Sequence, residues 1–284
     1  MKNIDLKEFA GKDVSVLLKK ADELFVSDLE GKIHAHKIYN ILLEDIPNIY
    51  DEKKLYVLRG LIRQKIWNCE KYFFWNENFF SQFGQDKIIK NYFFHNKKKG
   101  FFVEIGAFNG ISGSNCFHFE KFLNWEGIAF EPSNTQFEKL KKNRNCQLIN
   151  KAIAPEEKEV EFLEVEEGYT QMSGILNEKF ISEETIKKDP RSKTKKIIIT
   201  TTTFDKNIPV DKEIDYLSID IEGGEMELLD SIDFKKYNIK VISVENNSPE
   251  KLNFKEFFDK KNFNYFDRVG QDEIFYNKNY FKLS

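Results

Sequence analysis

The sequence predicts an α/β protein with a largely parallel sheet, helices on both of its faces, and a separate helical segment before it. Before residue 75, apolar residues recur at three- and four-residue spacing, which is typical of helices. From Phe101 onward, short apolar runs alternate with polar stretches of helix length, which is typical of parallel strands. At the end, two alternating runs flank a short turn, as in a hairpin at a sheet edge.

The N-terminal segment is predicted to contain three helices, "VSVLLKKADELF" (14–25), "KIHAHKIYNILLED" (32–45) and "KKLYVLRGLIRQKIW" (53–67). Breaks are expected at Gly31 and at "DIPNIYD". We interpret residues 1–75 as a helical cap or interaction segment, and its helices are where a homo-oligomer would form. Residues 76–284 are then the main domain.

Seven runs are predicted as strands: "FFVEI" (101–105), "EGIAF" (126–130), "QLINKAI" (147–153), "VEFLEV" (160–165), "KIIITTTTF" (196–204), "IDYLSIDI" (214–221) and "IKVISVE" (239–245). The final hairpin consists of "FNYFDRV" and "DEIFYN" around "GQ" (270–271). Open sheets of this kind bind ligands at the carboxyl ends of their strands, so the site is expected there.

Composition narrows the class of protein. The chain has 284 residues, a 40% hydrophobic share and a net charge of −3, so it suits a globular protein with no general attraction for nucleic acid. No apolar run reaches the roughly 20 residues that cross a bilayer. Three cysteines without metal-like spacing and no recognisable secretory leader favour a cytoplasmic protein.

A glycine-rich turn follows the first strand. Its glycines, Gly106, Gly110 and Gly113, have a spacing that differs from the dinucleotide pattern G-x-G-x-x-G. Glu104 precedes the first glycine, and a carboxylate there repels phosphate but attracts an ammonium group. The second strand ends at Glu131, where an acid would bind ribose hydroxyls. A nucleoside joined to an amino acid without phosphate is S-adenosylmethionine, which we expect as the cofactor.

Several linked motifs support this prediction: "SQFGQD" (81–86), "GFFVEIGAFNG" (100–110), "SN" (114–115), "NWEGIAFEP" (124–132) and "IDYLSIDIEGGEMELL" (214–229). Together with the closing "DEIFYN", they resemble the FkbM family of S-adenosylmethionine-dependent methyltransferases over residues 80–280. The resemblance implies a Rossmann-like, class I methyltransferase sheet with an antiparallel final strand. It also implies O-methylation, frequently of sugars or polyketides.

The expected cofactor-binding residues come from the residue patterns and from these motifs. They are Gln82, Gln85, Asp86, Glu104, Gly106, Asn109, Gly110, Ser114, Asn115, Glu131, Pro132, Lys151, Ala152 and Asp220. In the family, the segment corresponding to "SQFGQD" folds over the methionine end of the cofactor. An alternative is that Ser81 only caps the helix that follows.

The expected catalytic residues are acids at strand ends. Asp220 ends one buried strand, Glu222 follows on the same side, and Glu245 ends the next strand. Crowded carboxylates raise one another's proton affinity, which would give a general base for a hydroxyl group. The same three acids could instead bind Mg²⁺ or Mn²⁺.

The acceptor is expected to be a carbohydrate or nucleotide-sugar, not nucleic acid. Tyr169, Gln171 and Ser173 lie in a polar segment beside the strand ends, and Glu225 and Asn246 are further candidates for acceptor contacts. Glu225 could instead only complement a helix N-terminus. The family commonly has a His-type residue at the position of Asn246, which cannot titrate. The leading hypothesis is an O-methyltransferase acting on a sugar hydroxyl of a nucleotide-sugar, glycan or surface-polysaccharide precursor. A nucleic-acid methyltransferase and a non-catalytic interaction platform are the alternatives.

Overall fold

A computed structural model describes residues 13–176, 186 and 189–282 of the chain. It divides into two compact units. The first contains the chain up to Glu77 together with Asp267–Asp272, and the second contains Asn78–Phe266 and the chain from Glu273 onward. The first twelve residues of the predicted cap lie outside the described residues, and independent folding of residues 76–284 stays a prediction.

The helical unit contains α1 (Val14–Phe25), α2 (Leu29–Asp45) and α3 (Lys53–Tyr72), which confirms that three helices are present. The predicted break at Gly31 is wrong, because Asp28 caps α2 and Gly31 is buried inside that helix. Asp13 and Asp28 cap the first two helices by accepting backbone N–H bonds at 2.7 and 2.8 Å. The apolar residues that predicted these helices form one core cluster, which includes Leu17, Ala21, Ala35, Ile38, Leu42 and Ile62.

The helical unit also contains a buried ion-pair network. Asp267 is 2% exposed and accepts hydrogen bonds from Arg59 at 3.2 Å and from Arg63 at 2.6 Å. The adjacent Arg268 donates to the hydroxyl of Tyr56 at 2.6 Å. Since about 200 positions separate the partners in sequence, no local pattern predicts this network.

In the part of the chain that the structure describes, ten strands form two sheets. They are β1 (Phe101–Ile105), β2 (Glu126–Phe130), β3 (Gln147–Ile149), β4 (Glu159–Glu167), β5 (Gly174–Ile175), β6 (Lys193–Thr200), β7 (Ile214–Ile219), β8 (Ile239–Glu245), β9 (Phe263–Val269) and β10 (Asp272–Asn277). The larger sheet has the order β3-β2-β1-β7-β8-β10-β9, and its first five strands are parallel. The two-residue connection between β9 and β10 makes the closing hairpin antiparallel, as predicted.

Among the described residues, six α-helices accompany this sheet. They are α4 (Gln85–Ile89), which continues as a π-helical turn over Lys90–Phe94, then α5 (Phe117–Leu123), α6 (Asn134–Asn143), α7 (Phe204–Asn207), α8 (Glu225–Ser231) and α9 (Phe254–Asp259). The chain passes from β1 to β2 and β3 on one side, then returns to β7 on the other side of β1. This reversal opens a crevice at the carboxyl ends of β1 and β7.

Two predicted strands do not join the parallel sheet. The runs "VEFLEV" and "KIIITTTTF" form β4 and β6, which pair antiparallel in a second sheet of order β5-β4-β6. Only nine residues separate β3 from β4, which is too few for the helical crossover that a parallel neighbour requires. Apolar content predicted the strands correctly but could not assign them to a sheet.

Candidate active site

A cavity lies at the carboxyl ends of β1, β2 and β7. The strand ends and the turns after them contribute Ile105, Gly106, Phe108, Phe130, Glu131, Pro132, Lys151, Ala152, Ile153, Asp220, Ile221, Glu222 and Gly223. The second sheet and its connections contribute Phe162, Thr170, Gln171, Ser173, Gly174 and Ile175, and helix α6 contributes Gln136. The second sheet is therefore a wall of the site.

Gly106 allows β1 and β7 to end close together. Its φ is +91°, and an added Cβ would lie 1.7 Å from the carbonyl oxygen of Asp220. The N–H of Asp220 in turn donates to the carbonyl of Ile105 at 3.0 Å. The neighbouring backbone therefore requires glycine here.

Glu131 lines the cavity from the end of β2. It is 6% exposed, and its carboxylate accepts the backbone N–H groups of Phe108 at 2.8 Å and of Ser133 at 2.7 Å. Burial raises the pKa of Glu131 to about 8, and the nearby Glu164 adds to this effect. These bonds hold the carboxylate in place at the cavity wall, where it can accept ligand hydroxyl groups.

Asp220, Glu222 and Glu245 form an acidic cluster. One carboxylate oxygen from each lies within 4.8 Å of the others. Glu222 has a φ of +59°, in the left-handed region, and Gly223 and Gly224 follow at +120° and +94°. A non-glycine residue held in this region is strained, and such strain is concentrated at functional sites. The structure thus brings together the three acids that the sequence predicted from two strand ends.

The environment of Glu222 favours proton transfer near neutral pH. Burial, followed by the charge of Glu225, raises the pKa of Glu222 to about 7. A carboxylate with this pKa can accept a proton at neutral pH and return it to solvent. Three carboxylates this close are also the kind of oxygen ligands that a divalent cation binds.

Glu225 has a different role from the predicted acceptor contact. It is 5% exposed, does not line the cavity, and accepts the N–H of Gly223 at 2.8 Å and of Ile221 at 3.4 Å. As the first residue of α8, it holds the turn that carries Glu222. Its position therefore matches the alternative in which it serves the helix N-terminus.

Glu104 does not line the cavity, contrary to the sequence prediction. It is 2% exposed, and Arg144 donates to it at 2.8 Å from a fully buried side chain. Ser114 also donates to Glu104 from its hydroxyl at 2.7 Å, and Asn115 from its N–H at 3.0 Å. These three groups are bonded to the carboxylate that was expected to receive an ammonium group. Like Glu104, Ser114 and Asn115 do not line the cavity.

The "SQFGQD" segment forms a self-contained turn, and Gln82, Gln85 and Asp86 are absent from the cavity lining. Asp86 is fully buried and accepts hydrogen bonds from the N–H of Phe80 at 2.7 Å and the hydroxyl of Ser81 at 2.5 Å. Burial raises the pKa of Asp86 to about 6. The side chain of Gln85 accepts the N–H of Phe83 at 2.8 Å. The alternative in which Ser81 caps the helix is wrong, because the N-cap of α4 is Gly84.

Asn109 and Gly110 shape the glycine-rich turn without lining the cavity. The side chain of Asn109 accepts the N–H groups of Ile111 at 3.0 Å and Ser112 at 2.8 Å. Gly110 has a φ of +83°, which favours glycine, and a Cβ there would lie 2.6 Å from Cδ1 of Leu140. Both residues maintain the turn that leads away from β1.

Of the residues predicted to contact the acceptor, some line the cavity and others do not. Gln171 and Ser173 line the cavity, whereas Tyr169 is 43% exposed and does not. Asn246 is fully buried, donates to Glu273, and accepts the N–H of Ser248 at 3.1 Å. The side chain of Asn246 is thus used to hold the loop after β8.

Sequence reasoning missed Gln136, which lines the cavity from α6. The pattern Ser133-x-x-Gln136 is a helix-capping signal placed directly after the acid of β2. That signal locates the start of a helix beside a strand-end acid, and it could have identified Gln136 as a wall residue.

The sheet order, the turn from β1 into the crevice and the strand-end acids define an α/β protein of the class I methyltransferase fold. The family described as the methyltransferase FkbM domain matches residues 104–269, and the chain belongs to this family. This confirms the family resemblance and identifies the chain as a methyltransferase-family protein. The residues that match the family include Glu131, Asp220, Glu222 and Glu245.

Solved structures that match the chain include a methyltransferase FkbM from Methylobacillus flagellatus, at 11% identity and a TM-score of 0.43, covering 84% of this chain. The chain spans 57% of the length of that protein. A methyltransferase from Pyrococcus furiosus has 17% identity and a TM-score of 0.35, with 67% and 79% of the two chains covered. The N-terminal domain of human METTL16, solved with SAH, has 12% identity and a TM-score of 0.34, with 99% of each chain covered. A search of curated proteins found no significant match. Within the described residues, no helix is long and apolar enough to cross a membrane.

Proposed function

We propose that the protein is an S-adenosylmethionine-dependent O-methyltransferase that methylates a sugar hydroxyl of a nucleotide-sugar, glycan or surface-polysaccharide precursor. The observation that carries the proposal is one cavity lined by Glu131 at the end of β2 and by Asp220 and Glu222 beyond β7. An acid suited to ribose hydroxyls and an acid suited to proton removal therefore face the same space. Membership of the methyltransferase family supports this reading.

The cofactor would lie against Gly106, with Glu131 accepting the ribose hydroxyls and Pro132, Lys151 and Ala152 beside the base. When bound, S-adenosylmethionine supplies an electrophilic methyl group. Because Glu104 is already bonded to Arg144, we assign it to support of the turn and not to the ammonium group. Binding then depends chiefly on the side chains that line the cavity.

Glu222 acts as the general base in this proposal. The Glu222 carboxylate would accept the proton that the acceptor hydroxyl loses when it takes the methyl group that S-adenosylmethionine would supply. Asp220 orients the hydroxyl, and the charge of Glu225 favours the protonated form of Glu222. A pKa near 7 suits this cycle, because the base must be ionised before reaction and regenerated afterward.

The polar wall from the second sheet is suited to a carbohydrate. Thr170, Gln171 and Ser173 contribute hydroxyl and amide groups at the cavity, where sugar hydroxyls need both donors and acceptors. Lys195 and Lys196 are exposed on β6 and favour an anionic acceptor such as a nucleotide-sugar, whereas Lys193 pairs with Glu167 at 2.5 Å.

Methyl transfer to a panel of nucleotide-sugars, glycans and RNA tests the proposal. We expect transfer to a sugar hydroxyl, and Glu222→Gln or Asp220→Asn to lower turnover about 10²-fold with little change in cofactor affinity. The rate of the unmodified protein should rise with pH through about 7, where Glu222 loses its proton. The matched controls are Glu227→Gln and Asp230→Asn, at exposed positions of α8.

Three results would overturn parts of the proposal. Transfer to RNA alone would replace the sugar acceptor, and unchanged turnover in both amide variants would limit the acids to a structural role. Loss of activity on chelation, with recovery on adding Mg²⁺ or Mn²⁺, would replace the direct base by a bound cation. We expect chelation to leave the rate unchanged.

A further inference from the structure

We propose that Gln136 recognises the base of the bound nucleoside by donating a hydrogen bond from its side-chain amide to a ring nitrogen. This inference rests on the proposed function, since it takes the cavity to be the nucleoside site. It concerns a residue that the strand-end motifs do not include.

Helix capping fixes the backbone of Gln136. It is the third residue of α6, and its N–H donates to the hydroxyl of the capping residue Ser133 at 3.2 Å. That hydroxyl in turn donates to Glu164 at 2.6 Å. The backbone of Gln136 is therefore held by the same bonds that join α6 to the wall formed by β4.

The side chain of Gln136 is not used in the cap. In a capping box, the side chain at this position accepts the N–H of the capping residue. Here the N–H of Ser133 donates to Glu131 at 2.7 Å instead. Glu131 has thus taken the usual partner of the Gln136 side chain, and Gln136 lines the cavity.

The orientation of the amide follows from Lys139. The ammonium group of Lys139, which can only donate, lies 3.3 Å from Oε1 of Gln136, so the oxygen faces this lysine. Nε2 is the other end of the amide. Gln136 is 1% exposed, and its Nε2 has no hydrogen-bond partner among the described residues. A buried donor without an acceptor is rare in folded proteins, and a ligand atom in the cavity would supply the acceptor.

The neighbours of Gln136 indicate which part of the ligand it meets. In chain order it follows Glu131 and Pro132 by one helical turn, and the same cavity is lined by Lys151, Ala152 and the aromatic ring of Phe162. These residues surround the nucleoside end, whereas Asp220 and Glu222 serve the reacting end. Adenine offers three ring nitrogens as acceptors on its edges, and a donor at this place selects one of them.

Ligands with single-atom changes test the inference. The 1-deaza, 3-deaza and 7-deaza analogues of S-adenosylhomocysteine each replace one ring nitrogen by C–H with almost no change of shape. We expect one analogue to bind the unmodified protein about tenfold more weakly than S-adenosylhomocysteine, measured by calorimetry. Gln136→Met, which keeps the length but removes the donor, should bind S-adenosylhomocysteine about tenfold more weakly and bind that analogue no worse than the parent compound.

Gln147→Met at an exposed position of β3 is the control and should retain the discrimination. Thermal unfolding of both variants verifies that they are folded. Equal affinity of the unmodified protein for all four ligands, or unchanged discrimination in Gln136→Met, would overturn the inference and leave the proposed function intact. If the unmodified protein binds none of the four ligands, both the inference and the proposed function fail.

Discussion

Burial in the site changes the pKa of a single residue, Glu131. Its pKa of about 8 lies above the ordinary value of 4.5, because burial disfavours the ionised form more than its two backbone N–H partners favour it. A group whose pKa rises on folding contributes stability that is complete below pH 4.5 and is lost as the pH rises through about 8. Glu131 therefore lowers the stability of the ligand-free protein above neutral pH.

Ligand binding should reverse this effect. Ribose hydroxyls donate to the ionised carboxylate, so S-adenosylhomocysteine should lower the pKa of Glu131 and release up to one proton near pH 7. Affinity should then rise with pH, by at most about tenfold per unit, until about pH 8. Calorimetry in two buffers with different ionisation enthalpies measures the release. Equal apparent enthalpies in the two buffers would contradict the prediction, and Glu131→Gln, which cannot titrate, is the control.

The turn after β1 contains two glycines with different surroundings, Gly106 and Gly113. The end of β1 must approach the end of β7 so closely that a side chain at Gly106 would overlap the carbonyl oxygen of Asp220. Gly113, in the same turn, has a φ of +75° and nothing within 4 Å of an added Cβ. The two glycines thus separate the effect of a clash from the effect of backbone strain.

Gly106→Ala should lower the free energy of unfolding by about 2–4 kcal/mol, because both the left-handed backbone and the clash oppose it. Gly113→Ala should lower it by only about 1–2 kcal/mol, from the backbone conformation alone. Unfolding in urea measures both values. Equal losses in the two variants would indicate that β1 and β7 can separate without penalty. The Asp220 carbonyl would then not be the reason for glycine at this position.

The division into two units predicts which part of the molecule is needed to bind the cofactor. Every residue that lines the cavity lies between Ile105 and Gly223, in the second unit. A chain that begins at Asn76 should therefore bind S-adenosylhomocysteine with nearly unchanged affinity, measured by calorimetry. It should be less stable in urea, because the buried Asp267 loses Arg59 and Arg63.

The substitution Asp267→Asn in the full chain measures how much the ion pairs of Asp267 contribute to stability. Breaking this buried ion-pair network should lower the free energy of unfolding by about 3–5 kcal/mol. Asp211→Asn, at an exposed position, is the matched control and should have little effect. If the shortened chain cannot fold at all, the two units form one folding unit and the domain boundary predicted at residue 75 is wrong.

Periodicity and strand-end chemistry could be read from the sequence alone. The helices α1 to α3, the strands of the parallel sheet and the closing hairpin were predicted because apolar spacing reports which face of an element is buried. Glu131, Asp220 and Glu222 were predicted because acids that directly follow buried strands must meet at one edge of a parallel sheet. Each of these inferences uses residues that are close in sequence.

The tertiary structure alone shows which side chains are hydrogen-bonded to residues far away in the sequence. Glu104 is occupied by Arg144, Asn246 by Glu273 and Asp267 by Arg59, and none of these pairings leaves a local pattern. The assignment of β4 and β6 to a second sheet also depended on long-range pairing, and it turned a predicted part of the main sheet into a wall of the cavity. A sequence pattern shows which side chains lie near a strand end, but a carboxylate or amide is available to a ligand only if no distant residue has already bonded to it.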